Sequence, residues 1–304
     1  MKVFEPKEIG GLLIKNRLVR SATYEAMAAE NGRVTDRLVK LYETLAKGGV
    51  GLIITGYAYV QRDGRGALYM TGIDRDNLIP GLRRITETVH EQGENCKVAI
   101  QLAHCGRQTT VVETPVAPSA VFEPVAKEMP REMKIEDIKE TIEAFAEAIR
   151  RAKEAGFDAV QLHAAHGYLL SEFLSPYTNR RTDEYGGSTE NRMRIVEEIF
   201  NSAIEKVGKD FTILIKMNVS DFLEGGIELD ESKKIAEKLS KMGISAIETS
   251  GGMWETRIHN KDLTASRTNI RSKDKEAYFL PYAREIKRAI NVPLILVGGI
   301  RSLD

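Results

Sequence analysis

Apolar and polar positions along this chain are grouped in blocks, and one block order recurs. A segment of helical period ends at Gly or Asn, and a short run of β-branched and other apolar residues follows. The unit appears at Gly49 before GLIIT, Gly93 before KVAIQL, Gly156 before AVQLH, Gly208 before TILIKM, Gly243 before AIET and Asn291 before PLILV. Gly or Asn just past a helix fits a left-handed stop, and short continuous apolar runs fit strands buried on both faces. Ile135, Ile138, Ile142, Phe145, Ile149 and Ala152 fall three and four apart, which makes one apolar stripe on a helix whose other face is Glu, Lys and Arg. The same period predicts helices near 36–47, 77–92, 190–206, 231–242 and 275–290, and a further strand near 18–21 brings the strand units to seven.

Six helix-to-strand junctions in succession predict a parallel sheet. Two architectures accept this alternation: the closed eightfold barrel and the open doubly wound sheet. No GxGxxG follows the first strand, and polar residues gather after strand upon strand instead of at one switch point. The pattern therefore predicts a (β/α)8 TIM barrel, with residues 1–304 forming a single domain. The sequence stops just past the seventh run, and a barrel lacking one strand would expose two unpaired parallel edges. The expectation is thus a chain truncated at its C-terminus, with strand eight missing from this sequence.

Composition narrows the class without changing the fold. The 304 residues carry 44 basic and 44 acidic side chains, and 42% are apolar, which fits neither a disordered nor a membrane protein. Zero net charge and no long basic run argue against nucleic acid as a partner, and no apolar run reaches the ~20 residues of a membrane span. With only Cys96 and Cys105 and no apolar leader at Met1, the chain reads as cytoplasmic with free thiols. Self-association is left open.

In such barrels the site lies at the carboxyl ends of the strands. After the first strand stand Ser21, Ala22, Thr23 and Tyr24; after the second, Gly56 and Tyr57; on the third, Gln101, followed by His104 and Arg107. The fourth ends in His163, His166 and Tyr168, within six positions of one another. The fifth holds Lys216 and Asn218, the sixth ends at Ser250, and the seventh ends in Gly298 and Gly299. Amides, hydroxyls, glycines and one strand-borne cation suit a flat, hydrogen-bonding ligand with an anionic tail better than a metal. Two histidines spaced i, i+3 also read as a metal pair, but no acidic or further histidine ligand stands at another strand end, so no metal is expected. His104 reads as a structural hydrogen-bonder and Arg192 as part of a structural ion pair. A lysine inside an apolar strand, as Lys216 is, needs a partner or a ligand.

The segments IQLAHCGR at 100–107, HAAHGYLLSEFLSPYTNRRTDEYGGSTENR at 163–192 and the closing VGGIRS resemble the Old Yellow Enzyme family of FMN-dependent ene-reductases. With KNRLVRSATYE near the start, the resemblance covers essentially the whole chain. KMNVSDF, EGG and EAYF are most similar to its bacterial NADH:flavin oxidoreductase and 2-enoate-reductase-like branch. The resemblance implies FMN as cofactor, NADH or NADPH as reductant, and an electron-poor alkene as substrate: an α,β-unsaturated carbonyl, acid or nitro compound. It implies that His163 and His166 donate hydrogen bonds to the substrate oxygen and that Tyr168 gives the proton. It places Gln101 at the flavin pyrimidine edge and Lys216 where most members carry arginine. It puts Gly298 and Gly299 at the phosphate, and Ser21, Ala22, Thr23, Tyr24 and Gly56 beside the flavin, with Thr23 and Tyr24 both open as the group that touches O4. The family's second phosphate loop, a Gly-Arg pair after strand eight, is absent from this sequence. Two readings compete: a metal-dependent hydrolase on the same barrel, and a flavin-free shortened paralogue acting as an interaction partner.

Overall fold

The computed structural model of the chain describes residues 1–303. Seven parallel strands follow one another around a barrel: β1 (Val19–Arg20), β2 (Leu52–Tyr59), β3 (Lys97–Ala103), β4 (Ala159–Ala164), β5 (Thr212–Asn218), β6 (Ala246–Ser250) and β7 (Leu294–Leu296). Each pairs in parallel with its sequence neighbour. Among the described residues, β1 and β7 are not paired with each other. This is a (β/α)8 barrel with one seam unsealed.

The helices are α1 (Asp36–Lys47), α2 (Ile79–Gln92), α3 (Ile135–Glu154), α4 (Leu169–Leu174), α5 (Thr189–Val207), α6 (Leu229–Met242), α7 (Thr256–His259) and α8 (Leu280–Ala289). Their starts follow local chemistry. The Thr35 hydroxyl accepts from the Leu38 amide at the head of α1, and the Ser188 hydroxyl accepts from the Asn191 amide at the head of α5. On α3, Ile138, Ile142, Phe145, Ile149 and Ala152 are buried, as the stripe predicts. The last helix differs from expectation: it begins at Leu280 instead of 275, with Pro281 in its first turn and the 3-10 turn Lys273–Lys275 shortly ahead of it.

Inside the barrel, alternation along each strand separates two layers. The lower is apolar and built largely from small residues, Ala99, Ala159 and Ala246, with Leu52, Ile54, Leu214 and Ile295. The space left by the alanines is filled by Ile9 and Ile14 from an antiparallel hairpin, Lys7–Ile9 with Leu12–Ile14, that plugs the barrel floor. Its turn is tied down where Thr212 Oγ1 donates to the Gly10 carbonyl at 3.0 Å. Gly10 has φ +56°, and a Cβ there would collide with the Ser245 side chain, so this turn requires glycine. The upper layer, one step along the same strands, is polar: Gln101, Gln161, Lys216 and Glu248.

The plug makes a stability prediction. Ile14→Ala removes a fully buried side chain from a layer of short neighbours and should cost roughly 2–5 kcal/mol. The urea midpoint should fall with an unchanged slope; an unshifted midpoint would show that the hairpin does not seal the floor.

Candidate active site

The polar layer opens into a cavity of about 340 Å³ at the carboxyl ends of the strands, a size within the roughly 300–1,000 Å³ of ligand clefts. Ser21, Ala22, Thr23 and Tyr24 line its wall from the segment after β1, His163, His166 and Tyr168 line it from the end of β4, and Gln101 and Lys216 line its floor. Nine of the twelve residues expected at the site thus share one cavity.

The floor is a continuous hydrogen-bonded chain. Lys216 Nζ stands 3.2 Å from Glu248 Oε1, with side-chain exposures of 4% and 0%. The Ser21 hydroxyl donates to Glu248 Oε1 at 2.6 Å and accepts from Lys216 Nζ at 2.9 Å. Gln161 Nε2 donates to Glu248 Oε2 at 2.7 Å, and Gln101 Nε2 donates to Gln161 Oε1 at 2.7 Å. A partner for Lys216 was expected, but its identity was not visible in the sequence. Glu248 is 32 positions away, and only the β5–β6 register sets it opposite.

Both histidines are held neutral. Burial, with help from His166 and Lys216, holds the His163 imidazole well below the usual range, and His166 is pushed down to about 3 by burial, Lys216 and Arg257. The rings meet edge to face at 5.0 Å. His163 Nδ1 accepts from the Ala165 amide at 3.4 Å, so Nε2 carries the proton. His166 sits in left-handed backbone, φ +67°. It is held there by its amide donating to Asn218 Oδ1 at 3.0 Å and its carbonyl accepting from Gln108 Nε2 at 2.7 Å. Its Nε2 lies 2.7 Å from Ser250 Oγ.

Tyr168 caps the start of α4 and packs edge-on to His163 at 4.9 Å. Its ring is stacked against Tyr57 at 5.5 Å and meets Trp254 at 6.4 Å. Burial and the neighbouring Cys105 raise its phenol pKa, against the opposing pull of the Tyr57 hydroxyl and the Trp254 indole. It therefore keeps its proton at neutral pH.

One guanidinium clamps the segments that present these groups. Arg107, fully buried, donates from Nη2 to both Glu255 oxygens at 3.0 Å, and its amide donates to Glu172 Oε1 at 3.0 Å. Glu172 lies on α4, just past Tyr168, and Glu255 follows Trp254. Burial pushes Glu172 up to about 8, with Glu255 and Glu123 adding to the rise and Arg107 opposing it.

Three expected residues lie elsewhere. Gly56 is buried beside the first wall but does not line the cavity; its amide donates to Glu25 Oε1 at 2.9 Å, and a Cβ would collide with the Glu25 carboxylate. Glycine is needed there for packing. Gly298 and Gly299 sit behind Tyr278, where a Cβ on either would lie 3.1 Å from the tyrosine ring. His104 is a structural hydrogen-bonder, its Nδ1 accepting from the Gly106 amide at 3.1 Å. Arg192 pairs with Glu231 and donates to the Leu174 carbonyl at 2.8 Å. Trp254 and Arg257 line the cavity unforeseen, because the segment after β6 lacks a period that would have marked them. Among the described residues, no three His, Cys, Asp or Glu side chains gather as a metal site would need, and no helix is long and apolar enough to cross a membrane.

A family model described as the NADH:flavin oxidoreductase / NADH oxidase family matches residues 2–304. An NADH oxidase of Thermoanaerobacter brockii is 39% identical over 305 residues, covering 99% of this chain and 45% of that protein. An NADPH dehydrogenase of Geobacillus sp. (strain WCH70) is 38% identical over 301 residues, covering 99% of this chain and 84% of that one. Among solved structures, the old yellow enzyme homologue from Zymomonas mobilis superposes with a TM-score of 0.83 at 26% identity, covering 99% of this chain and 83% of that chain. The chain thus spans less than half the length of the first of these relatives.

The buried acid behind Tyr168 gives the fold a pH dependence. Because Glu172 holds its proton more tightly when folded than when unfolded, its contribution to stability is full below the ordinary carboxylate range. It falls as pH rises and is gone above about 8. Glu172→Gln, which keeps an acceptor for the Arg107 amide, should flatten the change of urea midpoint between about pH 5 and 8; an unaltered slope would assign that dependence to other groups.

Proposed function

The chain belongs to the NADH:flavin oxidoreductase / NADH oxidase family, and from that premise we propose that it is an FMN-dependent oxidoreductase using NADH or NADPH to reduce the activated C=C bond of a small electron-poor alkene. The substrates this reading favours are α,β-unsaturated carbonyl, acid and nitro compounds. The observation that carries it is the meeting, in one cavity, of two neutral imidazole donors and a protonated phenol with an amide and an ammonium group on the floor.

The residues present fit the ring end of FMN. Gln101 has one N–H committed to Gln161, so its carbonyl oxygen and second N–H are free for the polar edge of a heterocycle. Lys216 has one of its three hydrogens left after Ser21 and Glu248. Ser21, Ala22, Thr23 and Tyr24 would form the wall against the ring, with both Thr23 and Tyr24 within its reach. Gly298 and Gly299 would receive the phosphate once the Tyr278 side chain turns away from them. What FMN supplies when bound is two-electron transfer from the nicotinamide to the alkene, chemistry that side chains lack.

The protein's own groups do the rest. His163 and His166 donate to the substrate carbonyl or nitro oxygen, where negative charge develops, and their neutrality means this donation does not consume a proton. Tyr168 donates its proton to the α-carbon. This reading treats residues 1–304 as one domain with a cytoplasmic setting, in keeping with two buried, unpaired cysteines. A metal-dependent hydrolase fits less well, since among the described residues His163 and His166 join no group of three His, Cys, Asp or Glu side chains able to hold a metal.

Rapid mixing of the FMN-loaded protein separates the two half-reactions. Tyr168→Phe should leave bleaching of the flavin by NAD(P)H unchanged and slow reoxidation by an enone by roughly 10²–10⁴-fold. Equal slowing of both halves would remove Tyr168 from the proton step. His163→Ala/His166→Ala should abolish the spectral shift that phenols induce in the bound flavin; a retained shift would show that these rings do not hold the oxygen.

A further inference from the structure

Glu248 has no role in the chemistry above, yet it is wholly buried and both its oxygens are engaged. A carboxylate only accepts hydrogen bonds, so Gln161 must turn its NH2 toward Oε2 and its carbonyl away. That carbonyl can only accept, so Gln101 must in turn present an N–H to it. The orientation of Gln101, two bonds removed, is therefore set by the charge of Glu248. On the other side, Oε1 receives the Ser21 hydroxyl hydrogen, which leaves the Ser21 lone pairs to accept from Lys216. The ammonium and the carboxylate face each other at 3.2 Å, so the cavity floor offers a donor without net charge.

We propose that Glu248 is a positioning residue: it neutralises Lys216 and, through Gln161, fixes the amide of Gln101, so setting both the charge and the hydrogen-bond polarity that the floor presents to a flat heterocycle. This rests on the flavin reading of the site. A lone buried cation beside a flavin favours the anionic reduced form, whereas a neutral pair favours it far less. Glu248 thereby holds the potential of the bound flavin down and keeps the reduced cofactor a strong donor.

The test is the midpoint potential of the FMN-loaded protein, read by equilibration with a redox dye, together with the affinity for oxidised FMN from fluorescence quenching. Glu248→Gln should tighten reduced over oxidised FMN at least about tenfold, a rise of ~30 mV for a two-electron couple. Glu248→Asp, which keeps the charge, should stay near the parent. Lys216→Gln/Glu248→Gln, with no charge left, should also stay near the parent, while Lys216→Gln alone should fall below it. The double variant carries the test if Glu248→Gln leaves an ammonium the fold cannot bury. A double variant as low as Lys216→Gln, or an unmoved Glu248→Gln, would overturn the charge argument. Oxidised FMN should bind Glu248→Gln several-fold more weakly, since both amides are then free to flip; an unchanged affinity would remove the amide relay. Failure of the parent protein to bind FMN would instead overturn the flavin reading itself, and this inference with it.

Discussion

Lys216 and Glu248 face each other across adjacent parallel strands inside the barrel, 3.2 Å apart and nearly without solvent. Burying either alone would cost several kcal/mol, and the pair is tolerated because each charge faces the other and both carboxylate oxygens are hydrogen-bonded. Ser21 serves both members, Gln161 serves the carboxylate, and Gln101 serves Gln161. Four strands and the segment after β1 are joined by this one chain of contacts. The apolar floor beneath it excludes water, and the hairpin isoleucines complete that floor where alanines leave room.

Above the pair, the mouth depends on a second buried charge. Arg107 holds Glu255 and Glu172 at once, so the segment carrying Trp254 and the helix that starts at Tyr168 have a fixed separation. His166 is locked independently by Asn218 and Gln108, in a backbone conformation that few residues other than glycine adopt. Rigid loops of this kind are what hydrogen-bond donation to a developing charge requires, because donors already in place lose nothing to reorganisation.

Much of this was legible in the sequence. The helix stops and the buried strand runs gave the barrel order, and the residues read at the strand ends include eleven that line the cavity. What remained hidden did so for physical reasons. The floor hairpin is only three residues a strand, with one buried side chain on each, too short to show a period. Helix α4 is buried on every side and so has no polar face to alternate with its apolar one. Glu248 looks like any acid in AIETS until the register sets it against Lys216. Gly298 and Gly299 suggested an open phosphate loop, and nothing in their own neighbourhood of sequence reveals that Tyr278, twenty positions earlier, lies across them. Gly56 was expected beside the flavin, but its neighbour is Glu25, a residue with no motif to mark it.

The central claim is that one cavity accepts electrons through FMN and delivers them to an alkene. Anaerobic titration of the FMN-loaded protein, followed in the flavin absorbance band, tests it most directly. NADH or NADPH should bleach the band, and one equivalent of an α,β-unsaturated ketone should restore it without oxygen. A band that fails to bleach, or that returns only when oxygen is admitted, would contradict the account.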